Sequence, residues 1–177
     1  MPLTTYTAGE VLTAASLNAN LSFAATAGAT DVAIFNETQA SGTNGGTATS
    51  GSFVKRTLNT TIVNGITGCS IASSVITLPA GTYVVRGFGT AFGTSIGVMK
   101  TRLQNTTDAT TTQQGTNAFT TSDVTIVSEF NARFVITANK NFELQTRVGG
   151  TQATNGYGPA VAYGDEVYSQ IIITKVA

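Results

Sequence analysis

The side chains that could perform acid–base chemistry in this chain are its nine Asp and Glu residues, because the sequence contains no histidine. Two carboxylate pairs could be tested as a glycosidase-type site, Asp123 with Glu129 and Asp165 with Glu166. A serine–lysine pair is another arrangement that the composition leaves open. Every acid is nevertheless explained equally well as a loop cap or as an outward-facing strand residue. We therefore predict that the protein is not an enzyme.

A metal site would need several ligands at a recognisable spacing. Asp165 and Glu166, together with a backbone carbonyl, could contribute to a calcium site. No pattern of further ligands accompanies them, so we predict that these two side chains solvate a turn. The single cysteine, Cys69, excludes an internal disulfide and is expected to be a small buried apolar residue. We predict neither a metal nor a cofactor.

Charged residues make up only 10% of the 177 residues, whereas apolar residues make up 41%. The charged fraction is well below the roughly 25% typical of soluble domains. The surface must therefore be built mainly from Thr, Ser, Asn, Gln and Gly. Such a surface is typical of proteins in large assemblies or outside cells, and it favours a structural role.

The charges are unevenly distributed, although nine acids balance nine bases. No base precedes Lys55, and the chain before it contains the acids Glu10, Asp31 and Glu37. The bases are scattered rather than clustered, so we predict no binding to nucleic acid. No apolar run is long enough to span a membrane, and no secretory leader is visible. We predict no membrane association and folding in a cytoplasm.

The N-terminal residues 1–30 are predicted to form a short helical arm followed by a linker. Thr7 and Glu10 have the spacing of a capping box, and Leu17 and Leu21 share one helix face. A helix of two or three turns is not stable alone in water. The arm therefore needs a partner surface, and six side chains are predicted to anchor it: Tyr6, Val11, Leu12, Leu17, Leu21 and Phe23.

Residues 31–177 read as a separate β domain of about eight to ten strands, because short apolar–polar alternations follow each other without a helical run. The alternation places Ala33 and Phe35 on one face of the first strand, and Met99, Thr101 and Leu103 on one face of another. This pattern predicts a β-sandwich or a barrel.

Turns and strand ends give more detailed predictions. Pro79 to Gly81 is read as the turn of a hairpin, and residues 138–141 as the turn of a second hairpin whose last strand directs Phe142, Leu144, Thr146 and Val148 inward. Ser41–Gly51 and Asp108–Gln114 are predicted to be polar loops. The apolar run Val167–Val176 is predicted to be a central strand that is covered on both faces.

Three tyrosines lie close together near the end of the chain, in Gly-rich surroundings. Tyr157, Tyr163 and Tyr168 can be explained by ordinary partial burial or by a subunit interface, where tyrosine is enriched. We take them as candidates for the interface of a homo-oligomer.

Two parts of the chain resemble known virus proteins. Thr7–Asn18, TAGEVLTAASLN, is similar to the opening segment of many tailed-bacteriophage virion proteins. Ile76–Phe92 and Glu166–Val176 resemble phage members of the C1q/TNF-like jelly-roll group, as do Arg56–Thr60 and Arg102–Asn105. The resemblance implies a jelly-roll sandwich over residues 31–177 and assembly into homotrimers.

The resemblance also implies a function. We expect a structural protein of a tailed-phage virion, assembled in the bacterial cytoplasm, that serves as a capsid decoration (cement) protein. Its expected partners are copies of itself and, through the arm, the major capsid protein or another virion protein. The alternative is a tail-fibre or tail-tip protein that binds a host receptor. A receptor binder should expose aromatic or charged loop residues, whereas the predicted loops are polar and uncharged for most of their length.

Overall fold

The computed structural model describes residues 31–176 together with Thr13, Ala15 and Asn18. The chain divides into two units, Met1–Thr30 and Asp31–Ala177. In the first unit, Ala15 and Asn18 have a helical backbone conformation. The side chains predicted to anchor the arm lie outside the described residues: Tyr6, Val11, Leu12, Leu17, Leu21 and Phe23. No helix in the described part of the chain is long and apolar enough to cross a membrane.

The described residues of the second unit form twelve β-strands and no helix. Thr, Val and Ile are frequent in these segments, as expected for β-branched residues. The strands are β1 (Val32–Gln39), β2 (Val54–Lys55), β3 (Thr60–Asn64), β4 (Ser70–Ala72), β5 (Val75–Leu78), β6 (Gly81–Phe92), β7 (Gly97–Asn105), β8 (Thr110–Gln114), β9 (Ala118–Thr120), β10 (Thr125–Ile136), β11 (Lys140–Val148) and β12 (Glu166–Lys175).

The strands are arranged in two antiparallel sheets. The five-stranded sheet has the order β10-β6-β12-β1-β3. The seven-stranded sheet has the order β4-β5-β11-β7-β8, and in addition β2 pairs with β11 and β9 with β7. The first and last strands, β1 and β12, lie side by side. The predicted β-sandwich is thus confirmed, and β12 occupies the predicted central place in its sheet.

One large apolar core is formed by side chains from both sheets. Phe35, Tyr83 and Ile171 come from the five-stranded sheet and are fully buried. Phe142 and Leu144 come from the seven-stranded sheet and are equally buried. Each side chain of this size contributes about 1.5–3 kcal/mol when it is removed from water. The sandwich therefore rests on contacts between residues that are far apart in sequence.

Strand alternation is predicted correctly. Met99, Thr101 and Leu103 of β7 are buried, and so are Phe142, Leu144, Thr146 and Val148 of β11. In β1 the buried face carries Ala33 and Phe35, as expected. A period of two fixes which side chains can face the core, and so a sheet face can be read from sequence alone.

Both predicted hairpins are wrong. The turn at Pro79–Gly81 joins β5 of the seven-stranded sheet to β6 of the five-stranded sheet, and the turn at 137–139 joins β10 to β11 in the same way. The strands on either side of each turn therefore pair with other partners. In a sandwich, a short turn can lead the chain across the core to the opposite layer, and the local sequence of such a corner resembles that of a hairpin.

Two smaller predictions also need correction. Asp108–Gln114 is not a loop throughout, because β8 occupies Thr110–Gln114 and pairs with β7. The run Val167–Val176 is covered on one face only, since Val167 is 42% exposed. Cys69 is buried as expected, and its burial raises the pKa of the thiol to about 11.

Candidate functional site

Glu166, one of the predicted acid–base candidates, is a loop cap. Its carboxylate accepts hydrogen bonds from the backbone N–H groups of Ala162 at 2.7 Å, Gly42 at 3.1 Å and Val161 at 3.1 Å. These donors favour the ionised carboxylate, with the Ala162 amide contributing most, and they lower its pKa. Glu166 thereby joins the loop before β12 to the loop after β1.

Replacing Glu166 by glutamine should lower the melting temperature at neutral pH and remove an acid-sensitive part of the stability. Because the folded-state pKa is lowered, the contribution of the carboxylate is present above the unfolded value of about 4.3 and is lost as the pH falls through the folded-state pKa. The melting temperatures of the wild type and Glu166→Gln should therefore converge in acid. Asp165→Asn, at the exposed position just before Glu166, is the control. A difference that stays constant with pH would refute this role.

The other candidate carboxylates do not form an acid–base pair. Asp123 accepts a hydrogen bond from the Thr94 amide at 3.2 Å, which is a loop-capping contact. Glu129 lies on the exposed face of β10, and Asp165 is exposed. Within residues 31–176 and the three described arm residues, no group of three or more metal-ligating side chains is assembled.

A buried charge cluster, which the sequence analysis did not predict, lies between the sheets. Arg56 is 1% exposed and Glu37 is 4% exposed. The Arg56 Nε donates to Glu37 Oε2 at 2.7 Å, and Nη2 lies 2.6 Å from the same oxygen. The hydroxyl of Ser169 donates to this oxygen as well, at 2.7 Å. The Arg56 guanidinium stacks on the ring of Tyr157, 3.5 Å from its centroid. These contacts join β1, β12 and the loops after β2 and β11.

The three tyrosines proposed for a subunit interface occupy different environments. Tyr157 and Tyr168 are buried inside the protomer, and burial raises the pKa of both phenols. The Tyr168 hydroxyl donates to the carbonyl of Thr43 at 2.8 Å, so this ring anchors the loop after β1. Tyr163 is 97% exposed. Of the three, only Tyr163 has surface that a neighbouring copy could cover.

The outer face of the five-stranded sheet carries an apolar patch. On β6, Val84 is 38% exposed, and Phe88 on the same face is half-buried. On the neighbouring β12, Ile172 is half-buried and lies directly opposite Arg86. We define the outer patch as the outward-facing apolar side chains of this sheet and the charged residues between them: Ile34, Val63, Val84, Phe88, Val127, Val135 and Ile172, with Arg86, Glu129 and Arg133.

Comparisons with known proteins place the fold. No protein-family model matches the sequence, and no curated protein matches it either. Among solved structures, the chain is similar to the Eiger TNF from S. frugiperda, with a TM-score of 0.55 and 13% identity over 84% of this chain and 93% of that one. It is also similar to murine APRIL, with a TM-score of 0.53 and 7% identity over 83% of this chain and 99% of that one.

A further similarity is to the PRD1 vertex protein P5, with a TM-score of 0.48 and 13% identity over 85% of this chain and 99% of that one. The two structures with TM-scores above 0.5 establish the fold, but their sequence identities are too low to transfer a function. Residues 31–176 therefore form the C1q/TNF-like jelly-roll sandwich that the resemblance implied.

Proposed function

We propose that this chain is a homotrimeric structural protein of a tailed-phage virion that decorates and stabilises the capsid. The observation that carries the proposal is the outer patch, an exposed apolar sheet face on a chain with only 10% charged residues. A sandwich needs to bury only one face of each sheet. An apolar second face is therefore a surface that another protein is expected to cover.

Copies of the same chain are the proposed occupants of the outer patch. The C1q/TNF-like group that the sequence resembles forms homotrimers, and the jelly-roll fold of that group is present here. The patch also carries both signs of charge, with Arg86 of β6 diagonally opposite Glu129 of β10 and Arg133 further along the same strand, so it can meet a copy of itself without accumulating one sign. This supports self-association through the five-stranded sheet.

The virion location is supported by the segment Thr7–Asn18, which is similar to the opening of many tailed-phage virion proteins. Decoration is supported by the polar loops at one end of the domain. The loop 40–51 is attached to the loop 149–164 by backbone hydrogen bonds from Gly45 to Gly158 and from Gly46 to Thr154. Loops held by such backbone hydrogen bonds suit a structural part of the capsid.

A second candidate is a tail-fibre or tail-tip protein that binds a host receptor. The observation that favours it is the exposure of two aromatic side chains, since Tyr163 is 97% exposed and Phe119 is 66% exposed. A receptor-binding surface is expected to display such residues.

Deletion of residues 1–23 should leave the β domain folded and prevent its incorporation into virions. The predicted anchors Val11, Leu12, Leu17, Leu21 and Phe23 should each contribute about 1.5–3 kcal/mol when buried against another protein, less the cost of ordering the arm. Thermal unfolding would check the domain, and quantification of the protein in purified particles would check incorporation. Normal incorporation of the truncated chain would refute anchoring by the arm.

The same particles separate the two candidate functions. Particles that lack a decoration protein should release DNA at a lower temperature, because a ligand of the assembled shell stabilises it by mass action. If the chain decorates the capsid, wild-type particles should contain hundreds of copies of it. A handful of copies, unchanged heat resistance and failure to adsorb to cells would favour the receptor-binding protein instead.

A further inference from the structure

A groove of about 870 Å³ crosses the outer face of the seven-stranded sheet, on the opposite layer from the outer patch. Its size falls within the range of ligand-binding sites in proteins. Strands β7, β9 and β11 form its floor, and the chain just before β2 forms one side. Its lining includes Phe53, Val98, Lys100, Gln114, Phe119 and Arg147.

Two cations face each other on the floor of the groove. Lys100 of β7 lies directly opposite Arg147 of β11 in the register of the sheet. Like charges in this arrangement destabilise an antiparallel sheet. Neither side chain takes part in an ion pair or hydrogen bond of residues 31–176, and no acid lines the groove. The protein itself therefore leaves this positive charge uncompensated.

Apolar surface adjoins the two cations. Val98 is 57% exposed and pairs with Phe119 on β9, which is 66% exposed. On the other side, Phe53 is held in place by the guanidinium of Arg102, which lies 4.0 Å from its ring centroid. Arg102 is itself fixed, since its Nε donates to the side-chain oxygen of Gln145 at 2.8 Å. An aromatic ring supported in this way is already ordered before a ligand arrives, which lowers the cost of binding.

We infer that the groove binds a carboxylated oligosaccharide. Arg147 and Lys100 supply the charge for a carboxylate, and the Arg fork can engage both of its oxygens. Phe53 and Phe119 supply flat apolar surface for the faces of sugar rings. Gln114, Asn117 and Ser50 line the groove and supply amide and hydroxyl groups for sugar hydroxyls. This inference goes beyond the structural role and holds for a decoration protein and for a tail protein.

The geometry favours a sugar over the other anionic polymers. An acidic peptide usually binds by adding a strand to a free sheet edge, whereas β7 and β11 are hydrogen-bonded to neighbours along the groove floor. A nucleic acid would need a longer series of cations to follow its phosphates, and the groove has two. Side chains presented from the face of a sheet suit a compact ligand with hydroxyl and carboxylate groups.

Binding should be measured on the full chain by isothermal titration with trigalacturonate and a hyaluronan hexasaccharide, and with chitohexaose as a neutral oligosaccharide. We expect the acidic sugars to bind at least about tenfold more tightly than chitohexaose, and to bind more weakly as the salt concentration rises. Lys100→Gln, Arg147→Gln and Phe119→Ala should each weaken binding by about tenfold. Lys175→Gln removes the same charge from the other sheet, outside the outer patch, and should leave binding unchanged.

A second measurement needs no ligand. Because Lys100 and Arg147 repel each other, Lys100→Gln and Arg147→Gln should each raise the melting temperature of the free protein by roughly 1–2 °C. Lys175→Gln should not. A gain of stability together with a loss of binding is the result expected of residues kept for a ligand.

Three results would overturn the inference. The first is the absence of binding by either acidic sugar at roughly 1 mM. The second is tighter binding of hexaglutamate or of a short oligothymidylate, which would assign the groove to a peptide or to a nucleic acid. The third is binding that persists unchanged in both Lys100→Gln and Arg147→Gln, which would place the sugar elsewhere on the protein.

Discussion

Replacing Arg56 by alanine is expected to destabilise the protein by about 3–5 kcal/mol. The substitution leaves the carboxylate of Glu37 buried without its positive partner, because Glu37 is only 4% exposed. It also removes the cation stacked on Tyr157, whose loop then loses a contact to the core. The free energy of unfolding in urea would measure the loss. Glu37→Ala should have an effect of similar size, since it leaves the guanidinium of Arg56 buried and unpaired.

The neighbouring residue gives a matched control. Lys55 has a side chain that is 37% exposed and lies 3.8 Å from Glu143, so Lys55→Ala breaks a surface ion pair and should cost less than about 1 kcal/mol. The double variant Arg56→Met with Glu37→Leu removes both buried charges and should be more stable than either Arg56→Ala or Glu37→Ala. Equal losses of unfolding free energy in Arg56→Ala and Lys55→Ala would show that the buried ion pair stabilises the protein no more than the exposed one.

The sequence contains a signal for this cluster that the strand predictions did not use. Glu37 is two residues beyond Phe35 and therefore shares its inward face, and an outward-facing Lys55 requires Arg56 to face inward. Two opposite charges are thus directed into the core, one from β1 and one from the residue that follows β2. The rule that buried charges are paired would have predicted their contact.

Which side chains face the core is readable from sequence, whereas which strands pair is not. The alternation in β7 and β11 depends only on the local period of two, and it predicted Met99, Leu103, Phe142 and Leu144 correctly. The two failed hairpins depended on pairing. At Pro79–Gly81 a turn between apolar strands has the same composition whether the chain returns within one layer or crosses to the other. Pairing is decided by contacts between distant residues, such as those of β1 with β12.

The tyrosines show the same limit for the candidate site. The enrichment of tyrosine at interfaces suggested a subunit contact, but Tyr157 and Tyr168 attach loops to the sandwich of their own protomer. Burial on a sheet or loop depends on what lies above a residue in space, and a single sequence does not carry that information. The outer patch was missed for a related reason. Its apolar residues are distributed over five strands, and no single strand shows more than two or three of them.

The two outer faces of the sandwich therefore differ in kind. The five-stranded sheet presents apolar side chains with charges of both signs, which suits a copy of the same surface. The seven-stranded sheet presents two unpaired cations between aromatic rings, which suits an anionic ligand. Because the faces lie on opposite layers, a trimer formed through the first would leave the groove on the second accessible.

Val84→Lys is expected to convert a trimeric protein into a monomer. Val84 lies within the outer patch, opposite Arg133 of β10, and is 38% exposed in the protomer. An added ammonium group would be buried at the interface beside an existing guanidinium, once in each copy. Burying an unpaired charge is costly, so the dissociation constant should rise by about 100-fold or more. Sedimentation equilibrium and native mass spectrometry at micromolar concentration would measure the change.

The control for this variant is Val161→Lys, the same substitution at a loop valine that is 61% exposed and lies outside the outer patch. It should remain trimeric. Both variants should unfold at nearly the same temperature once dilution has separated the protomers, because neither residue belongs to the core. Trimers that persist in Val84→Lys would exclude the five-stranded sheet as the interface, and Tyr163→Ala would then test the remaining exposed tyrosine. A wild-type monomer at the same concentration would remove the physical basis of the trimeric proposal itself.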